Sequence, residues 1–217
     1  MPVPRVKTQR RYVSGVRQEQ AQRTRLRILD AAQRLFSEYG YAATTIERIA
    51  AEAGVAIDTV YAVFRSKRAV LSGLMARQVG GDDQPIAMLD RPDAQSVRRE
   101  PNQRRQLARF VAGVTDAIER SRPVDDIMRS AAAIDPEIST LRRSIQEERF
   151  RNMTTLVRWL RANGPLRRER NVEHAAAIVW TLTSPEVHHL FRVDRRWSPE
   201  RFRDWLGDTL ARTLLSA

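Results

Sequence analysis

Cysteine is absent from the 217 residues of this sequence. Disulfide bonds, cysteine-ligated zinc and thiol catalysis are therefore excluded, and the fold must be held together by its core. Lysine is nearly absent as well, because only Lys7 and Lys67 occur, so almost all of the positive charge is carried by arginine.

Long apolar runs are also missing. No stretch approaches the roughly 18 apolar residues that a membrane-spanning helix needs, and the N-terminus lacks the apolar stretch of a signal peptide. We therefore expect a cytoplasmic protein without a membrane partner.

The sequence has none of the motifs that carry common enzyme chemistry. A phosphate-cradling glycine-rich loop, an HExxH motif and a nucleophile elbow are all absent. His188 and His189 beside Glu186 suggest a metal site, but adjacent residues on a helix point apart and His174 is distant in sequence. We predict no catalytic residue, no cofactor and no metal.

Positive charge is concentrated in the first part of the chain. The net charge is +12. Residues 1–79 carry 14 Arg plus Lys against 6 Asp plus Glu, whereas residues 80–217 carry 24 against 20. A basic N-terminal part is what attraction to nucleic-acid phosphate requires.

The stretch Thr44–Leu71 predicts three helices. Thr44 and Glu47 have the spacing of a capping box, which predicts a helix start at Thr44. An apolar stripe follows at helical spacing, and Gly54 ends the helix because glycine enters the left-handed region at low cost. The stripe consists of Ile46, Ile49, Ala50 and Ala53.

A second helix is predicted from about Ile57, with Val60 and Phe64 buried, and Ser66 is expected to cap a third helix that runs to about Val79. The second helix would present Ile57, Asp58, Tyr61, Ala62 and Arg65. Two short helices joined by a glycine-containing turn form a helix-turn-helix unit, whose second helix enters the major groove of DNA.

The remaining chain also has helical periodicity, and no alternating strand pattern is present, so the predicted fold class is all-α. Residues 1–21 suggest a basic flexible arm, residues 22–72 the helix-turn-helix domain and residues 73–217 a second helical domain. Prolines and glycines predict the breaks between helices. The further helices are expected at about 21–40, 104–121, 124–134, 137–162, 172–183, 185–191 and 198–215, with 82–103 largely irregular.

The N-terminal pattern resembles the TetR family of bacterial transcriptional regulators over roughly fifty residues. The residues that carry the resemblance are Ala31, Ala32, Phe36, Gly40, Thr44–Ile46, Ile49, Ala50, Ala53–Val55, Thr59–Tyr61, Phe64, Ser66, Lys67 and Leu71. The stretch Trp180–Leu215 is similar to the C-terminal end of many actinobacterial proteins of this type. Between them, similarity is limited to the helical pattern.

The resemblance implies which residues contact DNA. The matches of Thr45, Thr59, Tyr61 and Lys67 touch phosphate in the family. Capping and packing are the alternative for the two threonines and a half-buried ring for Tyr61, but all four fall on the groove side together, which favours contact. Base reading would then fall to Ile57, Asp58 and Ala62, with Glu47 or Arg48 from the first helix. Asp58 can accept a hydrogen bond from cytosine or can merely stabilise its own helix start.

Two residues depart from the family pattern. Ala56 stands where a capping serine is common, and Val63 stands where a histidine or tyrosine reaches phosphate. The basic arm at residues 1–21 is a candidate for compensating these losses by following the DNA backbone or entering a minor groove. A solvated tail is the alternative.

For residues 73–217, the resemblance implies an effector-binding and dimerisation domain with helices around a ligand cavity. Aromatic residues and methionines on these helices can enclose an adaptable apolar pocket or simply form a hydrophobic core. Arg149 or Asn152 could anchor a polar group. The candidate residues are Phe110, Val114, Ile118, Ile127, Met128, Phe150, Met153, Val157, Trp159 and Trp180.

These features predict a homodimeric repressor that binds double-stranded operator DNA and is released by a small, largely apolar effector. Dimerisation would use the helices at about 172–183 and 198–215, as in the family. One alternative is a ligand-independent DNA-binding or adaptor protein whose second domain serves only dimerisation and protein contacts. An enzyme with an accessory DNA-binding head would need a polar cleft, for which the sequence offers no residues.

Overall fold

The computed structural model describes residues 7–167 and 171–216, with side chains from residue 19 onward. In this part of the chain every regular secondary-structure element is a helix. One isolated β-bridge joins Leu166 and Leu215. The predicted all-α class is confirmed. Two compact units are present, Met1–Leu74 and Met75–Ala217.

The first unit contains α1 (Lys7–Ala43), α2 (Ile46–Ala53), α3 (Ile57–Phe64) and the start of α4 (Lys67–Gly80). The predicted apolar stripe of α2 is buried, as are Val60 and Phe64 of α3. These side chains form one core with buried residues of α1 and α4, namely Ile28, Leu29, Ala32, Phe36, Val70, Leu71 and Leu74. Periodicity predicted the part of this core that α2 and α3 contribute, because each of these two short helices has one apolar face.

The helical backbone begins at Lys7, so the predicted helix start at about residue 21 is wrong, while the flexibility of the basic arm stays a prediction. Glutamine, glutamate and arginine make up 7 of the 15 residues 7–21, and all three are good helix formers. Residues 1–6 lie outside the described residues. Gly40 breaks the helix with φ 76° and ψ 170°, at the position predicted for its end.

The start of α2 lies one residue later than predicted. Thr45 is the N-cap, and its side-chain oxygen accepts a hydrogen bond from the Arg48 N–H at 3.3 Å. Thr44 is fully buried instead, with its hydroxyl 2.8 Å from the Gly40 carbonyl oxygen and 3.2 Å from that of Leu35. The capping box of Thr44 with Glu47 is therefore wrong, because the fold uses Thr44 to satisfy carbonyls at the end of α1.

The other ends of these helices agree with the sequence. Gly54 takes the left-handed conformation with φ 62° and ends α2. Ser66 accepts a hydrogen bond from the Ala69 N–H at 3.1 Å and so caps α4.

The second unit is a bundle of longer helices. The helices are α5 (Pro92–Arg99), α6 (Gln103–Ala132), α7 (Pro136–Asn163), α8 (Val172–Leu182), α9 (Pro185–His189) and α10 (Pro199–Leu214). A 3₁₀ turn over Met88–Asp90 precedes α5, and α9 continues as a π-helical turn over Leu190–Asp194. Leucine, valine and aromatic side chains from α6, α7, α8 and α10 form its core, with Leu160, Val179, Phe202 and Leu206 buried.

Residues 103–132 form one helix, whereas we expected a break at Pro123. Proline removes one backbone N–H and crowds the preceding turn, but it does not end a helix that packing holds on both sides. Val124 and Met128 after the proline are as buried as Leu107 and Val111 before it. Within the described residues, no helix is long and apolar enough to cross a membrane.

Candidate functional site

An exposed face of α3 is the first candidate for binding a partner. Ile57 and Tyr61 are 42% and 46% exposed although both are large and apolar, and Asp58 and Ala62 beside them are also exposed. Val60 and Phe64 on the opposite face hold the helix in the core. The structure thus places three of the predicted base-reading residues and the predicted phosphate contact Tyr61 on the accessible side of α3.

The ends of α3 depend little on side chains. Ala56 is its N-cap and makes no side-chain capping bond, as the departure from the family pattern suggested. Asp58 lies in the first turn, where its carboxylate is favoured by the helix dipole. This position is compatible with both roles that the sequence left open for Asp58.

On α2, Thr45 and Glu47 interact with each other. A hydrogen bond with Thr45 is the main cause that lowers the pKa of Glu47, so this exposed carboxylate stays charged. Arg48 lies 4.5 Å from the centre of the Tyr39 ring and donates to the Ala43 carbonyl oxygen at 3.2 Å. The predicted reading residues of α2 are therefore partly engaged with their own domain.

The two other predicted phosphate contacts, Thr59 and Lys67, are half-buried. The Lys67 ammonium group donates to the carbonyl oxygens of Tyr41 and Thr44, each at 2.8 Å. Its contact with phosphate stays a prediction, as do the other DNA contacts.

Sequence reasoning missed the arginines of α1 that support α2 and α3. Arg27 donates to the carbonyl oxygens of Ala53 and Gly54 at the C-terminal end of α2. Arg34 pairs with Glu52 of α2 at 2.8 Å, and the Arg25 guanidinium lies 4.5 Å from the centre of the Phe64 ring. Helical periodicity marks such residues only as polar, so no sequence signal identified their partners.

In the second unit, most of the predicted ligand-binding residues belong to packed structure. Met128 and Met153 are 1% and 8% exposed. Phe110, Val114, Phe150, Trp159 and Trp180 pack against the core, while Ile127 is half-buried on α6. The structure brings Phe150 and Trp180 together edge to face, with ring centres 6.3 Å apart.

A groove of about 600 Å³ lies beside this aromatic pair, along α8, and it is open to solvent. Phe150, Ile178 and Leu182 give it apolar walls, and His174 and Thr181 add polar groups. Of the candidate ligand-binding residues, Phe150 lines this groove. Their role in binding a ligand stays a prediction.

Arg149, the predicted polar anchor, joins α7 to the end of α8. Its guanidinium donates to the Trp180 carbonyl oxygen and to the Gln146 side chain, and burial lowers its pKa to about 10. The buried Asp125 lies in the same charged environment, and burial raises the pKa of that carboxyl. The anchor is thus present, but its hydrogen bonds are directed to the protein itself.

His188 and His189 have separate partners. The His188 Nε2 atom lies 2.7 Å from Glu119, and His189 lies 3.7 Å from Asp194. Glu186 pairs with Arg142 at 2.5 Å. Among the described residues, no three histidine or acidic side chains are grouped as metal ligands.

Comparison with known proteins agrees with this geometry. Residues 28–74 match the sequence family described as bacterial regulatory proteins, tetR family. This segment includes α2 and α3 and therefore the exposed face of α3. A search of curated proteins found none that matches this sequence.

Solved structures of bacterial regulators share the fold of most of this chain. SmeT of Stenotrophomonas maltophilia, in complex with triclosan, is 23% identical with a TM-score of 0.65, over 89% of this chain and 92% of that one. NalD of Pseudomonas aeruginosa, a repressor of a multidrug efflux pump, is 22% identical with a TM-score of 0.64, over 91% and 98%. A transcriptional regulator of Saccharomonospora viridis in complex with choline is 20% identical with a TM-score of 0.64, over 89% and 98%.

At these identities the solved structures establish the fold alone. The N-terminal helix-turn-helix DNA-binding domain matches the TetR family of bacterial regulatory proteins over residues 28–74.

Proposed function

We propose that this regulator is a homodimeric repressor that binds a specific operator and is released from it by a small, largely apolar effector. The observation that carries the proposal is the exposed face of α3. Burying large apolar side chains is favourable, so Ile57 and Tyr61 are costly to leave in water unless a partner covers them. The domain's basic character makes DNA the fitting partner.

Ile57 and Ala62 would read the operator through apolar contacts such as thymine methyl groups. Asp58 would accept a hydrogen bond from cytosine, and Thr45, Thr59 and Tyr61 would hold phosphates. Glu47 and Arg48 would add contacts from α2. Because one such domain covers few base pairs, two-fold related copies would read two half-sites.

Two similar structures support the effector part of the proposal. SmeT is described with triclosan and the Saccharomonospora viridis regulator with choline, and NalD is described as a repressor. In this chain, Phe150 and Trp180 beside the groove along α8 would receive an apolar ligand. Binding would favour the conformation in which the paired DNA-binding domains no longer fit successive major grooves. We place this activity in the cytoplasm, where the chromosome is accessible.

Affinity for DNA is the first test. Fluorescent duplexes that tile the region upstream of the protein's own gene would be compared with scrambled duplexes over a salt series. We expect one segment to bind tightly, two protomers per duplex and a steep salt dependence. Equal weak binding to every duplex would contradict the proposal.

A matched pair of variants tests the α3 surface. Ala62→Glu places a negative charge on the exposed face of α3, and we expect at least a tenfold loss of affinity, about 1.4 kcal/mol, without unfolding. Ala108→Glu places the same charge on an exposed position of α6. If both variants bind the selected duplex like wild type, α3 is not the reading helix.

A ligand-independent regulator is the second candidate. The packing of Met128 and Met153 in the interior and the open form of the groove favour it. Triclosan and choline would be added to the protein–duplex complex as the first ligands. If a ligand releases the duplex from wild type but not from a Phe150→Ala variant, effector control is supported. If neither these two ligands nor a wider set of apolar ligands releases the duplex, ligand independence is supported.

A further inference from the structure

Asp125 of α6 is a carboxylate inside the second unit that has no hydrogen-bond partner. The residue is 6% exposed, and among the described residues its carboxylate neither accepts a hydrogen bond nor forms an ion pair. Burying such a group without a partner is costly, and burial raises the pKa of this carboxyl. Because buried polar groups in native proteins are almost always paired with protein, ligand or water, we expect a partner from outside the chain at this position.

An unpartnered donor, the Nε–H group of Arg142 on α7, belongs to the same region. The Arg142 guanidinium pairs with Glu186 of α9 at 2.5 Å through its Nη2 atom, but its buried Nε atom has no hydrogen-bond partner. Arg142 is also the positive charge that acts most strongly on Asp125. The two side chains thus influence each other without pairing directly, and each has an unused hydrogen-bonding atom.

The charges around Asp125 are balanced. Electrostatic interactions connect two acidic and two basic side chains, namely Asp125, Glu186, Arg142 and Arg149. Arg129 and Asp126, which also act on Asp125, pair with each other. A charged ligand group would disturb this balance in the interior, where an unpaired charge is costly. The ligand group that fits is therefore neutral.

A hydroxyl group complements the two unused atoms. Its hydrogen can be donated to the Asp125 carboxylate while its oxygen accepts a hydrogen bond from the Arg142 Nε–H. An ether oxygen can only accept and an alkyl group can do neither, so both would leave the carboxylate without a donor. A hydroxyl thus satisfies both side chains with a single atom.

Arg149 joins this region to the aromatic pair beside the groove along α8. Its guanidinium lies 5.1 Å from the centre of the Trp180 ring, and the Trp180 ring packs edge to face against Phe150. On α6, the buried Met128 follows Asp125 by about one turn. An apolar ligand that carries one hydroxyl would therefore find apolar and polar partners in neighbouring parts of the same unit.

We propose that Asp125 and Arg142 form a subsite that recognises a hydroxyl group on the effector, which is then an alcohol or a phenol with an apolar body. Asp125 accepts the hydroxyl hydrogen, and the Arg142 Nε–H donates to the hydroxyl oxygen. The inference rests on the proposed effector-regulated function and names the polar group that the effector carries. An ordered water can make the same two bonds and is the alternative occupant.

Matched ligands test the subsite on the protein without DNA. The probes are para-alkylphenols of graded chain length, their methyl ethers and the parent alkylbenzenes, and calorimetry measures their affinities. Hydrogen bonds to a charged group are strong, so we expect a phenol to bind wild type at least about tenfold more tightly than its ether. In Asp125→Asn this ratio should fall close to one, because the amide can donate to the ether oxygen and its carbonyl is a weaker acceptor.

Asp126→Asn is the control for the carboxylate, since it makes the same change one residue further along α6, at a half-buried position, and should keep the ratio of wild type. Arg142→Lys tests the donor. Lysine keeps the positive charge for Glu186 but removes the Nε–H, so phenol and ether should both lose about fivefold or more in affinity relative to the alkylbenzene. Arg151→Lys, at an exposed position of α7, should change none of the three affinities.

Three results would overturn the inference. They are equal affinities of phenols and ethers for wild type, an unchanged ratio in Asp125→Asn, and failure of every phenol to bind, which would leave water as the occupant. Asp125→Asn should be at least as stable as wild type because it removes an unpaired buried carboxylate, and thermal unfolding verifies that a lost ratio is not lost folding. The comparison of phenol with ether on wild type needs no variant.

The proposed function can fail separately. A ligand that releases the duplex but binds wild type and Asp125→Asn alike would leave that function standing and refute this inference alone. Phenols that require Asp125 for binding but never release the duplex would refute effector release while the hydroxyl subsite stands.

Discussion

Arginine side chains cap the C-terminal ends of several helices in this protein. Carbonyl groups at a helix C-terminus lack partners and carry partial negative charge, so a cation satisfies both needs. Part of the net charge of +12 therefore has an internal role and is not available to a nucleic acid. The pairs are Arg27 with Ala53 and Gly54, Arg91 with Gly80, Arg149 with Trp180, and Arg167 with Arg212.

Arg149→Met tests this role at a single residue. The variant keeps an apolar stem but leaves the Trp180 carbonyl without its donor, so we expect the free energy of unfolding to fall by about 1–3 kcal/mol. Arg151→Met, two positions along α7 and exposed, should change it by less than about 0.5 kcal/mol. Urea unfolding of both variants measures the difference. Equal values would mean that the Arg149 cap adds nothing to stability.

At the scale of elements, α6 connects neighbouring helices of the second unit. Its Glu119 carboxylate bonds to His188 of α9 at 2.7 Å and accepts two bonds from Arg192 of the π-helical turn at 2.9 and 3.0 Å. Pro123 lies one turn further along the same helix, on an exposed position. The turn of α6 in which proline removes one backbone N–H is thus next to the turn that holds α9.

Proline at position 123 should reduce stability. Pro123→Ala restores an N–H within the helix, so we expect the protein to be more stable by up to about 3 kcal/mol. Pro136→Ala is the control because Pro136 is at the start of α7, where its missing N–H has no helical partner. Thermal unfolding of the two variants compares them. A gain that is equal in both would show that the position within the helix does not matter.

His188 should make stability depend on pH. It is 1% exposed, its Nδ1 atom has no hydrogen-bond partner, and burial lowers its pKa from 6.5 although Glu119 raises it. Arg192 and Arg122 lower the pKa further. Below pH 6.5 the unfolded chain binds a proton that the folded chain resists, so the free energy of unfolding falls as pH decreases through this range.

A comparison of His188→Gln with His174→Gln tests this prediction. The first variant should lose the decrease in stability between about pH 7.5 and 5.5, while the second, at an exposed position of α8, should keep it. Urea unfolding at both pH values gives the result. An unchanged pH dependence in His188→Gln would assign the effect to other groups.

At the scale of the whole molecule, the charge of the first 79 residues and the exposed face of α3 belong to the same half of the chain. The positive charge that attracts phosphate and the exposed apolar side chains that can contact bases are therefore found in the same domain. A dimer would present this surface twice, so its operator should have two half-sites in a fixed relation.

Spacing of the half-sites tests the dimer. Inserting five base pairs, about half a helical turn, between the halves of the selected duplex should turn one half-site to the opposite side of the DNA and abolish the tight complex. A duplex with five base pairs replaced at the same place, without insertion, is the control. Gel-shift titration measures both. Tight binding to the lengthened duplex would exclude a dimer with fixed spacing.

The positions of most helices could be predicted from sequence because their signals are local. Apolar periodicity placed α2 and α3, Gly54 and Gly40 marked helix ends, and Ser198 before Pro199 marked the start of α10. Prediction was wrong where a local signal competed with packing. Pro123 did not end α6, and Thr44 was buried under α1 while Thr45 became the cap.

The sequence by itself thus determined the all-helical class, the similarity of the N-terminal domain to the TetR family and the exposed face of α3, because each depends on residues close together in the chain. The tertiary structure alone decided the partners of the charged side chains. Lys67 reaches the end of α1, Arg149 reaches the end of α8 and Glu119 reaches His188. A long flexible side chain can satisfy any carbonyl or carboxylate within its reach, so the identity of that partner depends on which helices the fold places side by side.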